Sequence, residues 1–185
     1  MKKIFYILII YLFKFNFAYS LIEVDITRGN LDPLPIAVSP LHVDVKSDNY
    51  QDVKVKGLGD LISSVVEKNF RSTGLFNPLN KDAFVQKPDI AHLKPRFEDW
   101  SLITAQALVT GKILIKDEKL KVEFRLWDIA ANKEMIALAF TTTPSNWRRV
   151  AHIISDKIYE RLTGETGYFD TRIIYVSEKG DKTQR

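Results

Sequence analysis

Between Leu120 and Trp127 the chain alternates without a break, with Leu120, Val122, Phe124 and Leu126 set against Lys121, Glu123, Arg125 and Trp127. A period of two sends these sets to opposite faces of a strand, so the segment must bury one sheet face against something else. The charged run Lys116 to Lys119 precedes it and Asp128 to Lys133 follows. Beyond these turns lie two more strand-like runs, Ala107 to Ile115 with Gly111 inside it, and Glu134 to Thr142. Three strands joined by short turns read as an antiparallel meander.

Two helices are placed to cover it. Leu58, Leu61, Ile62, Val65, Val66 and Phe70 recur at helical spacing, and Thr73 with Gly74 supplies the stop, since glycine accepts the left-handed conformation past a helix end. Gly59 costs the first turn about 1 kcal/mol relative to alanine. The second helix runs from about Trp147 to Leu162, with Val150, Ile153, Ile154, Ile158 and Leu162 on its stripe and Thr163 with Gly164 as its stop. A shorter helix is predicted over Phe97 to Ile103, presenting Phe97, Trp100 and Ile103. Ile36 to Val38 reads as a buried strand closed by Pro40, and His42 to Lys56 as a loop. Between Leu79 and Pro95 the prolines Pro88 and Pro95 argue against regular structure. The expected fold is α/β of the α+β kind, a mixed sheet of about five strands with two main helices packed on it.

The first twenty residues carry a different message. Lys2 and Lys3 form a positive start, Ile4 to Phe13 is an apolar run, and Ala18, Tyr19 and Ser20 place small residues where a signal peptidase reads, which predicts cleavage between Ser20 and Leu21. The run is too short to cross a bilayer, which takes roughly 20 apolar residues, and Lys14 interrupts it, so no stable membrane insertion is expected after cleavage. Because the signal holds Lys2, Lys3 and Lys14 and no acid, 24 of the 27 basic residues remain against 23 acidic ones, a formal charge of +1 in place of +4. That near-neutral balance removes the main argument for a nucleic-acid partner. The remaining 165 residues suit one domain, and with no cysteine it has neither disulfides nor a thiol nucleophile. The expected division is signal 1–20, domain 21–170, and a remainder 171–185 that opens with strand-like residues to Ser177 and closes on a charged tail.

Motifs for chemistry are scarce. His42, His92 and His152 are far apart and none stands at ligand spacing, so no metal is expected. Gly57 to Asp60 lacks the third glycine and the lysine of a phosphate loop, and reads as a helix entry. Ser63 and Ser64 fall on a helix, without the surroundings of a nucleophile, and read as helix surface. Trp100, Trp127 and Trp147 read as packing residues, with Trp127 set apart because it falls on the polar face of its strand, where it would pack beneath a helix or mark an interface. Neither a catalytic residue nor a cofactor is assigned.

Taken together, Ile26 to Gly29, Pro35 to Val38, Ser72 to Phe76, Trp100, Arg125 to Asp128, Ala151 with His152, Ile158 to Gly164 and Phe169 to Arg172 resemble, in order and spacing, the amino-terminal domain of the TolB family. The resemblance covers nearly the whole segment after the signal. It implies a periplasmic α/β domain followed in the family by a six-bladed propeller, which this sequence lacks, as in a truncated or split product, a remnant without function, or a deliberately isolated domain. It also implies the Tol–Pal envelope system, whose work includes envelope integrity and outer-membrane constriction at cell division. There the mature amino terminus binds the carboxy-terminal domain of TolA and the propeller binds the lipoprotein Pal. TolA is therefore the expected partner, and Pal one only if a propeller is supplied separately. By position the TolA surface maps onto Leu21, Ile22, Glu23, Val24, Asp25, Ile26 and Thr27.

Those residues alternate, with Ile22, Val24 and Ile26 on one side and Glu23 and Asp25 on the other. Two readings stay open for them: a first strand in the domain's own sheet, or an exposed strand that adds to the edge of a partner's sheet.

Overall fold

The computed structural model of the 185-residue chain describes residues 22–24, 32–45, 57–116, 118–172 and 174. The expected signal segment with its predicted Ser20/Leu21 cleavage site, residues 46–56 of the expected loop, and the tail from Tyr175 onward lie outside them. In chain order the elements are β1 (Leu34–Val38), β2 (His42–Val45), α1 (Leu58–Thr73), β3 (Phe76–Pro78), α2 (Pro88–Ala91), α3 (Phe97–Leu102), β4 (Ala107–Lys116), β5 (Lys119–Asp128), β6 (Lys133–Thr142) and α4 (Trp147–Thr163). Single 3-10 turns at Lys81–Ala83 and Pro144–Asn146 complete them.

The sheet has six strands in the order β3-β1-β4-β5-β6, with β2 added on β4. One half is parallel: β1 pairs with β3 and with β4 over Ala107, Leu108 and Val109, and β2 pairs with β4 further along, from Lys112 to Ile115. The other half is the expected meander, β4 with β5 and β5 with β6, all antiparallel. The register slips between Leu126 and Trp127, leaving Met135 as the extra residue of a bulge.

Alternation along the central strands divides two cores. Ile36, Val38, Val109, Ile113, Ile115, Val122, Phe124 and Leu126 meet α1 and α4 on one face. Ala37 and Leu108 point the other way, into a smaller cluster with Ala91, Trp100, Ala105 and Ile129, where the crossover from β3 to β4 passes beneath the sheet. Trp127 belongs there too, edge-on to Phe97 of α3 and donating its indole N–H to Thr110 Oγ1 at 2.9 Å, so it packs beneath a helix. Trp100 is buried and gives its indole N–H to Gln86 Oε1 at 2.9 Å.

Several expectations are corrected. His42 to Val45 is a strand, because the open edge of β4 recruits a four-residue run too short to announce itself. Pro88 begins a one-turn helix instead of excluding one, since its fixed φ suits the first helical position, whose N–H needs no partner. On α1 the buried stripe is Leu58, Gly59, Ile62, Ser63, Val66 and Phe70, while Leu61 stays 46% exposed. The small residues sit inward because the helix comes close to the chain between β1 and β2. A Cβ on Gly59 would collide with the Leu41 carbonyl. Ser63 is thus buried rather than surface, donating to Asp60 O at 3.0 Å and accepting from Lys81 Nζ at 2.8 Å. The strand-like run from Tyr168 forms no strand over 168–172, and its continuation at 173 and 175–177 lies outside the described residues.

The close contact at Gly59 yields a direct prediction. Gly59→Ala gains helix propensity of about 1 kcal/mol yet overpacks against backbone that cannot rotate away, an effect of about 1–3 kcal/mol. The net result expected in urea unfolding is a lower midpoint with an unchanged slope.

A second prediction concerns Tyr159, where burial pushes the phenol's pKa up and Tyr168 and Glu165 push it in the same direction. The folded state therefore holds that proton more tightly than the unfolded chain does. Its contribution is complete below the ordinary phenol value and is lost as pH rises through the folded one. Thermal melts are expected to show this loss above about pH 10, and to show less of it in Tyr159→Phe.

Candidate functional site

Residues Ile22, Glu23 and Val24 reach the body of the domain without joining its sheet. The Val24 N–H donates to Leu162 O at 2.7 Å, and the Ile22 N–H to Asp128 Oδ2 at 3.1 Å. Both acceptors are ready for this role. Leu162 lies in the last turn of α4, where the final carbonyls have no partner within the helix, and Gly164 satisfies only Glu160. Asp128 is 1% exposed at the end of β5, and its Oδ1 already takes the Ala131 N–H of the β5–β6 turn at 2.9 Å. A buried carboxylate needs donors to offset its desolvation, and Ile22 supplies one of them.

The side chains follow the alternation. Ile22 and Val24 are half-buried against the main core, while Glu23 is exposed and edges a groove of about 420 Å³ lined with Ile136, Lys157, Glu160, Arg161 and Gly164. Of the predicted partner-binding residues, the structure thus places Ile22, Glu23 and Val24 together, off the sheet. Leu21, Asp25, Ile26 and Thr27 lie outside the described residues. Asp128 and the Leu162 carbonyl were not legible as their anchors. An aspartate opening a turn is a recognisable signal for the Ala131 contact, but nothing in the chain announces a donor 106 residues away.

Elsewhere the histidines are tied into structure. His42 and His92 stack with centroids 4.5 Å apart, and His152 Nδ1 lies 3.0 Å from Asn69 Nδ2. Among the described residues no group of histidines and carboxylates is placed to hold a metal ion. On the sheet face away from α1 and α4, Glu123 pairs with Lys121 at 2.7 Å and Lys112 at 3.4 Å. The hydrogen bond from Lys121, joined by Lys112 and opposed by partial burial, holds its carboxyl below the usual carboxylate range. Arg125 pairs with Glu134 at 3.1 Å. Among the described residues no helix is long and apolar enough to cross a membrane.

A mixed sheet with two helices on one face, a short crossover on the other, and an amino-terminal segment pinned to the last helix defines a small α/β domain whose candidate site is made of backbone. The match to the TolB amino-terminal domain over residues 22–135 shows which one: the chain belongs to that family. It is 71% identical over 170 residues to the "Tol-Pal system protein TolB" of Pelagibacter ubique (strain HTCC1062), an alignment covering 91% of this chain and 38% of that protein. The crystal structure of TolB from Acinetobacter baumannii superposes with a TM-score of 0.58 at 22% identity, over 82% of this chain and 33% of the other, and shows the same fold. The chain thus spans less than two fifths of the length of these relatives.

The anchoring predicts that Asp128→Ala frees Ile22 and the β5–β6 turn together. Loss of hydrogen bonds to a charged acceptor is expected to lower stability by about 1.5–3 kcal/mol and to raise amide exchange at Ile22 and Ala131 above that of the β5 interior. Asp128→Asn, which keeps an acceptor oxygen, is expected to lie between the two.

Proposed function

We propose that this chain serves the Tol–Pal envelope system as an exported, non-catalytic interaction module of the periplasm, and that it engages the carboxy-terminal domain of TolA through its mature amino-terminal segment, Leu21 to Thr27. The supporting observation is the way Ile22–Val24 is held. Two backbone N–H groups and two half-buried side chains fasten a short alternating segment to the domain, and Glu23 stays exposed. Membership of the family and the likeness to a Tol–Pal protein supply the biological setting.

The recognition mode follows from the chemistry of such a segment. A strand added to a sheet edge binds through main-chain hydrogen bonds and takes specificity from alternate side chains. Ile22 and Val24 have the right alternation, but their N–H groups are engaged by Asp128 and Leu162. Binding in this mode exchanges those two hydrogen bonds for intermolecular ones. Each neutral bond contributes about 0.5–1.5 kcal/mol net and the one to the buried Asp128 carboxylate more, so the exchange is close to even at Val24 and unfavourable at Ile22. The apolar side chains then decide the affinity.

Calorimetric titration against the TolA carboxy-terminal domain tests the proposal. The chain from Leu21 to Arg185 is expected to bind, and a shortened chain beginning at Asn30 is expected to give no heat. Equal binding by both chains moves the site elsewhere on the domain, and no binding by a folded chain from Leu21 overturns the reading.

A further inference from the structure

Beyond the amino-terminal segment, a second stretch of chain is fastened to α4. Past Gly164, which ends the helix with φ 76°, the polypeptide turns back. Its contacts move steadily toward the start of α4: Glu165 N donates to Thr163 Oγ1, Tyr168 and Phe169 meet the ring of Tyr159, and Phe169 and Asp170 reach Asp156. Asp170 then meets Arg149, two residues from the beginning of the helix at Trp147. The segment therefore runs antiparallel to α4, and the helical span it accompanies from Thr163 to Arg149 is about 21 Å at 1.5 Å per residue.

The fastening is specific. The Asp156 carboxylate accepts from two successive backbone N–H groups, Phe169 to Oδ1 at 2.6 Å and Asp170 to Oδ2 at 3.1 Å. Gly167 lies so close to Asp156 that an added Cβ would collide with its Cα. Tyr159, Tyr168 and Phe169 form one aromatic cluster, continued by Phe76 of β3, and the Arg149 guanidinium grips Asp170 at 3.1 Å. A carboxylate bonded to two N–H groups, a glycine required by contact, and interlocked rings exceed what a loose connection needs. Charge-assisted hydrogen bonds are also roughly twice as strong as neutral ones.

We propose that residues 165–172 are a clamped exit strap, with Asp156 as its clamp, that sets where and in which direction the polypeptide beyond Arg172 leaves the domain. Anything that follows Arg172 is then held in a defined orientation to α4 instead of swivelling on a free linker. Asp156 acts as a positioning residue through the backbone of Phe169 and Asp170.

The absence of cysteine from the chain makes the test direct. Spin labels are placed on the full chain at Lys68→Cys and Arg172→Cys, both exposed positions, and the distance distribution between them is measured with amide exchange at Phe169 and Asp170. The unsubstituted clamp is expected to give one narrow distribution and strong protection. Asp156→Ala, a favourable change within a helix, is expected to broaden the distribution at least twofold and to speed exchange at both amides at least tenfold, while Ile154 and Ile158 stay protected. Gly167→Ala, which leaves the carboxylate in place, is expected to do the same, and stands in should Asp156→Ala disturb the helix. A distribution already broad with Asp156 present, or one unchanged by both substitutions, overturns the proposal.

Discussion

Strand β4 is hydrogen-bonded on both sides and, from Ala107 to Gly111, buried on both faces, and the rest of the domain is arranged around it. One side carries β1 and β2 in succession, the other the whole length of β5. Because β4 must pair in parallel on one side and antiparallel on the other, the chain has to reach it by crossovers and leave it by a tight turn. The crossovers place α1 above the sheet and the segment carrying α2 and α3 below it, which is why a domain of this size has a second apolar cluster around Trp100. Gly111 falls within this strand, where a Cβ would collide with the Glu123 carbonyl of β5, so the tight pairing restricts sequence as well as shape.

Helix α4 has a different task. Its inner face completes the main core through Val150, Ile154, Ile158 and Leu162, and its remaining groups receive both ends of the described domain. The last-turn carbonyl of Leu162 takes the incoming segment at Val24, and the mid-helix carboxylate of Asp156 takes the outgoing one at Phe169 and Asp170. The two ends are held differently. The incoming segment rests on two N–H groups and two half-buried side chains, whereas the outgoing one adds a packed glycine, an ion pair and three aromatic rings. The proposed interaction site, which a partner would take over, fits the first arrangement, and the proposed exit strap, which would hold its direction, fits the second.

The regular elements were legible wherever one amphipathic period governed a long enough run. Leu120 to Trp127 and the stripe from Val150 to Leu162 announce a strand and a helix because each turns one apolar face into the main core. Legibility failed where a neighbour from far along the chain made the decision. His42 to Val45 becomes a strand because β4 offers an edge, Leu61 is exposed because Gly59 and Ser63 let α1 approach on their side, and Pro88 opens a helix that packs through Ala91 into the cluster around Trp100. The candidate site divides in the same way. The alternation of Ile22, Glu23 and Val24 is visible in the residues, but the acceptors that hold them are not.

By itself, then, the sequence determined a cysteine-free α/β domain, its meander, its two covering helices and its family resemblance, since each of these rests on local composition, period or motif. Tertiary structure alone decided the parallel half of the sheet, the two-sided core, and the fastening of residues 22–24 and 165–170 to the domain. These depend on groups such as Asp128 and Asp156, whose partners are chosen by proximity in space. A carboxylate in a turn or on a helix carries no mark of the backbone N–H it will accept until the fold brings the two together.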